Sequence, residues 1–388
     1  MRLTGARGAF ILLETREGRA LHGAIMFSSD PAEPAVSSSV SAASPAGGAS
    51  LPSRAERVRL LRALLGDADP AVRPLATAIR RTARRHFERH VVPIVKRCWP
   101  ALVHDRFFQK LRIGACDLYA SAPYTALFCA PRRPPLVRLV TDLGNVLPLP
   151  APALAALGGV AMELVGRLAY APQHRRIALI GAFIVVVDHV FDHGMVEPPE
   201  ERASHLIAVL EGAIAPTTPE LRLTRALAVA MAEDLDAEDR AAFDAAMARV
   251  FEWIRAEVRG MSGEPDPSGL GHRLAGVEGT IDGLLFPVIR YAGEGARRWM
   301  YDVSLFVQIA DDWLDAEIDR RGGRPTPVLR GEWTFASVES AWASTLVGIE
   351  ALVRDAGLAS PRYVRFIREA YVLMITDVLE AMIQRPDD

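Results

Sequence analysis

Two groups of aspartates carry the chemistry this sequence is best equipped to do. Asp188 and Asp192 close an apolar run in IALIGAFIVVVDHVFDHG, residues 177–194. Four residues on an α-helix turn through about 400°, so both carboxylates share one face. The second group lies in SLFVQIADDWLDAEIDRRGGRPT, residues 304–326. At 100° per residue, Gln308, Asp311, Asp312, Asp315 and Asp319 fall within an arc of roughly 100°. One helix face then carries four carboxylates and an amide. Phe306, Ile309, Ala310, Trp313 and Leu314 lie opposite. Carboxylates about 6 Å apart repel by roughly 3 kcal/mol at an effective dielectric near 20, and a divalent cation removes that repulsion. Oxygen-only donors favour Mg²⁺ or Mn²⁺ over zinc. Asp188, Asp192, Asp311, Asp312, Asp315 and Asp319 are therefore the candidate metal ligands, and two such helices face to face would clamp a diphosphate. Arg320, Arg321 and Arg324 follow around Gly322-Gly323, and guanidinium groups suit phosphate. Each feature has a plainer reading. The first helix could simply emerge into water before Gly194. The second could present a solvated acidic face, and its arginines could serve the helix dipole.

The elements that must position these groups read as helices nearly throughout. Apolar residues recur at helical spacing in Val58, Leu60, Leu61, Leu64 and Leu65. Thr218-Pro219-Glu220 and Ser360-Pro361 look like helix starts, and Asp236 can cap a long helix reaching about Val258. Alternating strand patterns and internal repeats are missing. The expected fold is all-α. Residues 1–52 read as a tail: the stretch from Ser28 to Ser50 is rich in Ser, Ala, Pro and Gly and cannot order itself. Met26 is an alternative start. Prolines at 131–135 and 148–152 separate an N-terminal helical portion, 53–150, from a helical core, 151–388.

The 388 residues are half hydrophobic, with 45 Lys+Arg against 47 Asp+Glu and a net charge of −2. That balance argues against nucleic acid as a partner and against a disordered chain. Lys96 and Lys110 are the only lysines, so anion recognition falls to arginine. Cys98, Cys116 and Cys129 lack metal-ligand spacing and read as reduced thiols of a cytoplasmic protein. The apolar run 177–187 is far short of the roughly 20 residues that span a bilayer, and no secretory signal pattern opens the chain. Peripheral membrane contact and a homodimer stay open. No GxSxG elbow, P-loop, HExxH or dinucleotide-binding GxGxxG occurs.

The two acidic motifs resemble those of the class I isoprenoid synthase superfamily: isoprenyl diphosphate synthases, squalene/phytoene synthases and terpene synthases. Asp311-Asp312-Trp313-Leu314-Asp315 matches a second DDxxD motif, with Gln308 where the family's glutamine precedes it. Asp315 and Asp319 with Arg321, Gly323 and Arg324 resemble the DxxxD-xRxGR region of squalene/phytoene synthases. Asp311, Asp315 and Asp319 sit at the i, i+4, i+8 places of the terpene-synthase metal triad. Asp188 and Asp192 resemble the first motif in DxxxD form, with His189 where a DDxxD enzyme has its second aspartate. The motifs are 315 − 188 = 127 residues apart, and the resemblance covers about 170–388. It departs from chain-elongating relatives in lacking a GKRxRP-like motif and the lysine expected before Thr280. Gly279 stands where many terpene synthases place an arginine before Asp282-Gly283.

The resemblance implies an isoprenoid-synthase-like helical bundle using Mg²⁺ (or Mn²⁺) to ionise an allylic polyprenyl diphosphate, then cyclise or couple it. It implies Asp188, Asp192, Asp312 and Asp315 as catalytic residues and Gln308, Arg321 and Arg324 as substrate-binding ones. Phe183, Phe286, Tyr291 and Phe306 would line an apolar pocket, where aromatic faces stabilise cations, or would be ordinary core. Two rivals remain. His189, His193 and Asp192 could ligate zinc or iron instead. Alternatively the chain is a non-catalytic helical homologue, a lipid-binding or partner subunit.

Overall fold

A computed structural model of the chain describes residues 51–118, 121–128, 171–190, 199–233, 237–261, 278–285, 292–321, 326–357 and 360–383, with isolated positions between 142 and 160 and at 235. Apart from Leu51 and Pro52, the expected tail lies outside the described residues, as do the prolines at 131–135 and the cap Asp236. Among the described residues every regular element is a helix. None is long and apolar enough to cross a membrane.

The first helices begin where the sequence supplies caps. The Ser53 hydroxyl accepts from the Glu56 N–H at 3.3 Å and starts α1 (Arg54–Leu65). Its apolar stripe buries Val58, Leu61 and Leu65. α2 (Arg73–His86) and α3 (Val92–Cys98) are joined by a π-helical turn, Phe87–Val91. Pro93 explains that wider turn. It lacks an N–H, and its ring crowds the carbonyl four residues back. α4 (Arg106–Ile113) runs into a second π-helical turn, Gly114–Leu118, and then comes α5 (Ser121–Phe128). Gly114 is required by contact, not by dihedral angle: a Cβ there would lie 2.8 Å from Val185 Cγ2.

Val185 belongs to α6 (Ala171–His189), whose run Ile177–Val187 is buried on every side. That is what an all-round apolar helix demands. α7 (Pro199–Glu211) and α8 (Pro219–Ala232) follow, the latter capped by Thr218, whose hydroxyl accepts from the Leu221 N–H at 3.3 Å. α9 (Ala237–Met261) is the long helix expected after residue 236. A third π-helical turn, Gly279–Leu285, precedes α10 (Glu294–Arg321), α11 (Phe335–Asp355) and α12 (Pro361–Ile383).

One cluster of buried side chains runs from Val58 to Ile383. α6 packs against α8 and the second π turn, and α2 lies between α6 and α12. Arg62 grips Glu380 through two nitrogens at 2.6 and 2.7 Å, and Arg80 meets Asp377 at 2.6 Å, which ties the first two helices to α12. α10 pairs most extensively with α11. An aromatic cluster joins both to α12: Trp299 meets Tyr371 of α12 edge-on at 5.3 Å, Tyr371 stacks on Trp342 at 5.8 Å, and Trp342 meets Phe306 at 5.0 Å. Truncating a fully buried tryptophan such as Trp299 costs about 3–5 kcal/mol. The third π turn touches both α6 and α10, and so lies between the helices that carry the two acidic motifs.

Candidate functional site

α10 is a 28-residue helix, and its C-terminal half carries the second acidic motif. The acidic face is only partly open to water. Gln308 is 2 % exposed, Asp312 5 % and Asp319 5 %, while Asp311 and Asp315 are half-buried. A buried carboxylate is stable only with hydrogen-bonding or cationic partners. Gln308 supplies one: its Nε2 donates to Asp312 Oδ1 at 3.2 Å, one turn along the helix. The reading of this helix as a solvated acidic face is therefore set aside. The opposite face packs as expected, with Phe306, Ile309, Ala310, Trp313 and Leu314 all buried.

Beyond the acidic turns the helix ends in exposed Arg320 and Arg321, where positive charge complements the helix C-terminus. Arg324 lies outside the described residues. The chain resumes in a turn with Thr326, Pro327 and Val328 buried.

The first motif sits at the end of α6. Asp188 is the penultimate residue of that helix, but its side chain is not described, and Asp192 and His193 lie outside the described residues. His189 is described. Its ring stacks on Phe107 of α4 with centroids 3.8 Å apart and planes 18° apart, and Trp99 lies 6.1 Å away. Among the described residues no three His, Cys, Asp or Glu side chains form a set able to hold a metal ion. The carboxylates of α10 are spread along the helix, and the two expected to complete them are not described.

Sequence reasoning passed over several charged groups. Arg57 on α1 is fully buried and packs against the acidic helix. Its guanidinium donates to the Leu314 carbonyl at 3.3 Å and the Pro52 carbonyl at 2.6 Å, with Glu317 at 3.6 Å. Burial lowers its pKa, and Glu317 and Asp315 oppose that shift. No sequence signal marks it, since its acceptor at Leu314 is 257 residues away.

On the third π turn Asp282 accepts a two-pronged ion pair from Arg297 of α10, at 2.6 and 2.7 Å. A guanidinium thus stands beside Asp282 although position 279 is glycine. That hydrogen bond raises the Arg297 pKa, and burial raises that of neighbouring Tyr301. Further along the same helix, burial lifts the Asp302 carboxyl to about 6.

A third cluster sits at the first π turn. His86 lies 5.6 Å from His90 and 5.1 Å from His174 of α6, ring to ring. Burial lowers His90 to about 4 and His174 well below its usual range, with His86 adding to both shifts. The four-residue spacing of His86 and His90 was legible in the sequence; the arrival of His174 was not.

The aromatic residues expected to line a pocket divide. Phe183 is buried in the core, Phe306 packs against Trp342 between α10 and α11, and Phe286 and Tyr291 lie outside the described residues. Comparison with protein-family models, with curated protein sequences and with solved structures returns no match.

Proposed function

We propose that this chain is a class I isoprenoid synthase that ionises an allylic polyprenyl diphosphate and cyclises or couples the resulting cation. The observation that carries the reading is the burial of an acidic helix face: Gln308, Asp312 and Asp319 are directed into a helical bundle, not into solvent. Acidic helix faces are usually solvated, whereas buried carboxylates such as Asp312 and Asp319 suit a cation-dependent site.

The donor set fits Mg²⁺ or Mn²⁺ in kind, being carboxylate and amide oxygens without sulfur or imidazole. Asp311, Asp312, Asp315 and Asp319 would hold it together with Asp188 and Asp192. The chemistry such a cation supplies is neutralisation of charge on the leaving diphosphate. The chain's own residues do the rest. Gln308 fixes the Asp312 carboxylate through the hydrogen bond at 3.2 Å. Arg321 and Arg324, beyond the acidic turns in sequence, would meet the phosphate oxygens. The carbocation would need a site closed to water, which would otherwise capture it.

The deciding experiment incubates purified protein with allylic diphosphates of increasing chain length and Mg²⁺, and measures diphosphate release and products. Release that Asp188→Ala and Asp312→Ala each abolish, with helical content kept, supports the reading. No release from any substrate rejects it in favour of a non-catalytic homologue, and release that Asp312→Ala leaves unchanged rejects the acidic face of α10 as its site.

A further inference from the structure

His189 occupies the place where related first motifs carry an acid, and its surroundings suggest a different task. It is the last residue of α6. Before it, Ile177–Val187 is apolar and buried in the core, and His189 carries the first described ring after that run, docked by a specific face-to-face contact. The imidazole lies face to face with Phe107 at 3.8 Å. Trp99 is 6.1 Å from both rings, so the three form one aromatic group. The two partners are themselves held by helix ends. The Phe107 N–H donates to the capping carboxylate of Asp105 at 2.7 Å, and the Trp99 N–H donates to the Val95 carbonyl at 2.7 Å as α3 ends. Phe107 is also buried.

We propose that His189 is a positioning residue for the first acidic motif. Its ring, docked on Phe107 and Trp99, fixes the end of α6 that carries Asp188. This inference rests on the functional reading above and deepens it, by giving α3 and α4 a role in the site. A carboxylate about 6 Å from a helix axis moves about 2 Å when the helix turns by 20°. Misplacement by about 1 Å can lower a rate about a hundredfold. An aromatic ring at position 189 can hold the helix end against such rotation. An aspartate there cannot, because it offers no face to stack.

The test uses the full-length protein and three variants: His189→Phe, which keeps a ring, His189→Asp, which restores an acid, and Phe107→Leu, which removes the partner. Diphosphate release is measured against Mg²⁺ concentration, and hydrogen exchange is followed over residues 177–190. The expected result is that His189→Phe stays within about twofold of wild type in half-saturating Mg²⁺. His189→Asp and Phe107→Leu should each need tenfold more Mg²⁺, with a smaller change in kcat and faster exchange at the end of α6. The inference is overturned if His189→Phe is as impaired as His189→Asp, which would make the ring nitrogens the essential feature. It is equally overturned if His189→Asp matches or surpasses wild type. Should wild type release no diphosphate at all, the functional reading fails, and exchange alone decides the docking: equal exchange in all three variants and wild type rejects it.

Discussion

The guanidinium of Arg57 donates to the main-chain carbonyl of Leu314, joining the first helix to the middle of the acidic helix across 257 residues of sequence. The same side chain holds the Pro52 carbonyl at 2.6 Å. One arginine therefore ties the start of α1, the chain that enters it and the helix bearing the acidic motif.

Arg57→Met should lower stability by about 2–4 kcal/mol, because the buried Leu314 carbonyl, the part-buried Pro52 carbonyl and Glu317 lose a charged donor. Arg57→Lys should recover less than half of that, since an ammonium cannot reach divergent acceptors as a guanidinium fork does. Urea unfolding monitored by circular dichroism measures both.

Replacing Asp312 separates a cation-binding face from a merely tolerated one. Asp312→Asn keeps a polar group beside Gln308 while removing one of four negative charges. Stability without divalent ions should hold or rise, as repulsion along the helix falls. Mg²⁺ with inorganic diphosphate should stabilise wild type, by about 2.7 kcal/mol at a hundredfold excess over Kd, and should leave Asp312→Asn unmoved. Thermal melts with and without ligand give the answer; equal shifts in the two proteins would argue against a cation at this face.

The histidines at the first π turn predict a pH dependence of definite sign. His90 and His174 are held neutral in the fold, His90 with a pKa of about 4. Unfolded histidine titrates near 6.5, so between these values the unfolded chain binds more protons. Their contribution to stability is present above pH 6.5 and is lost as pH falls toward 4. Arg89 and Arg175, which also oppose protonation of His90, act in the same direction. Asp302, raised to about 6 by burial, acts oppositely: the fold binds its proton more tightly, so acidification below pH 6 favours the fold. His174→Leu isolates the histidine effect. Its urea midpoint should fall less than that of wild type between pH 7 and pH 4.5.

Gly348 lets α11 lie close against α10. A Cβ there would lie 3.0 Å from Trp299 Cδ1 and 3.3 Å from Asp302 Oδ2. Trp299 is fully buried and cannot retreat. Gly348→Ala should therefore destabilise by about 1–3 kcal/mol despite its better helix propensity. A lowered Tm in calorimetry, with helical content unchanged at 25 °C, is the expected outcome.

The sequence alone determined that the chain is helical, because helix periodicity and capping are local. Thr218 caps as its position indicates, and α9 starts directly after the cap expected at 236. It also determined that Gln308 and the four aspartates share one face of α10, since the turn per residue is fixed. Which way that face points was not in the sequence. An amphipathic helix can turn an acidic stripe to water or to the interior, and only packing against α1, α11 and the third π turn settles it, inward for Gln308, Asp312 and Asp319. The same holds for Arg57, His174 and His189. Their partners at Leu314, His86 and Phe107 lie 257, 88 and 82 residues away by 314 − 57, 174 − 86 and 189 − 107. Contacts over such separations depend on how helices pack in three dimensions, and no periodicity along the chain encodes them.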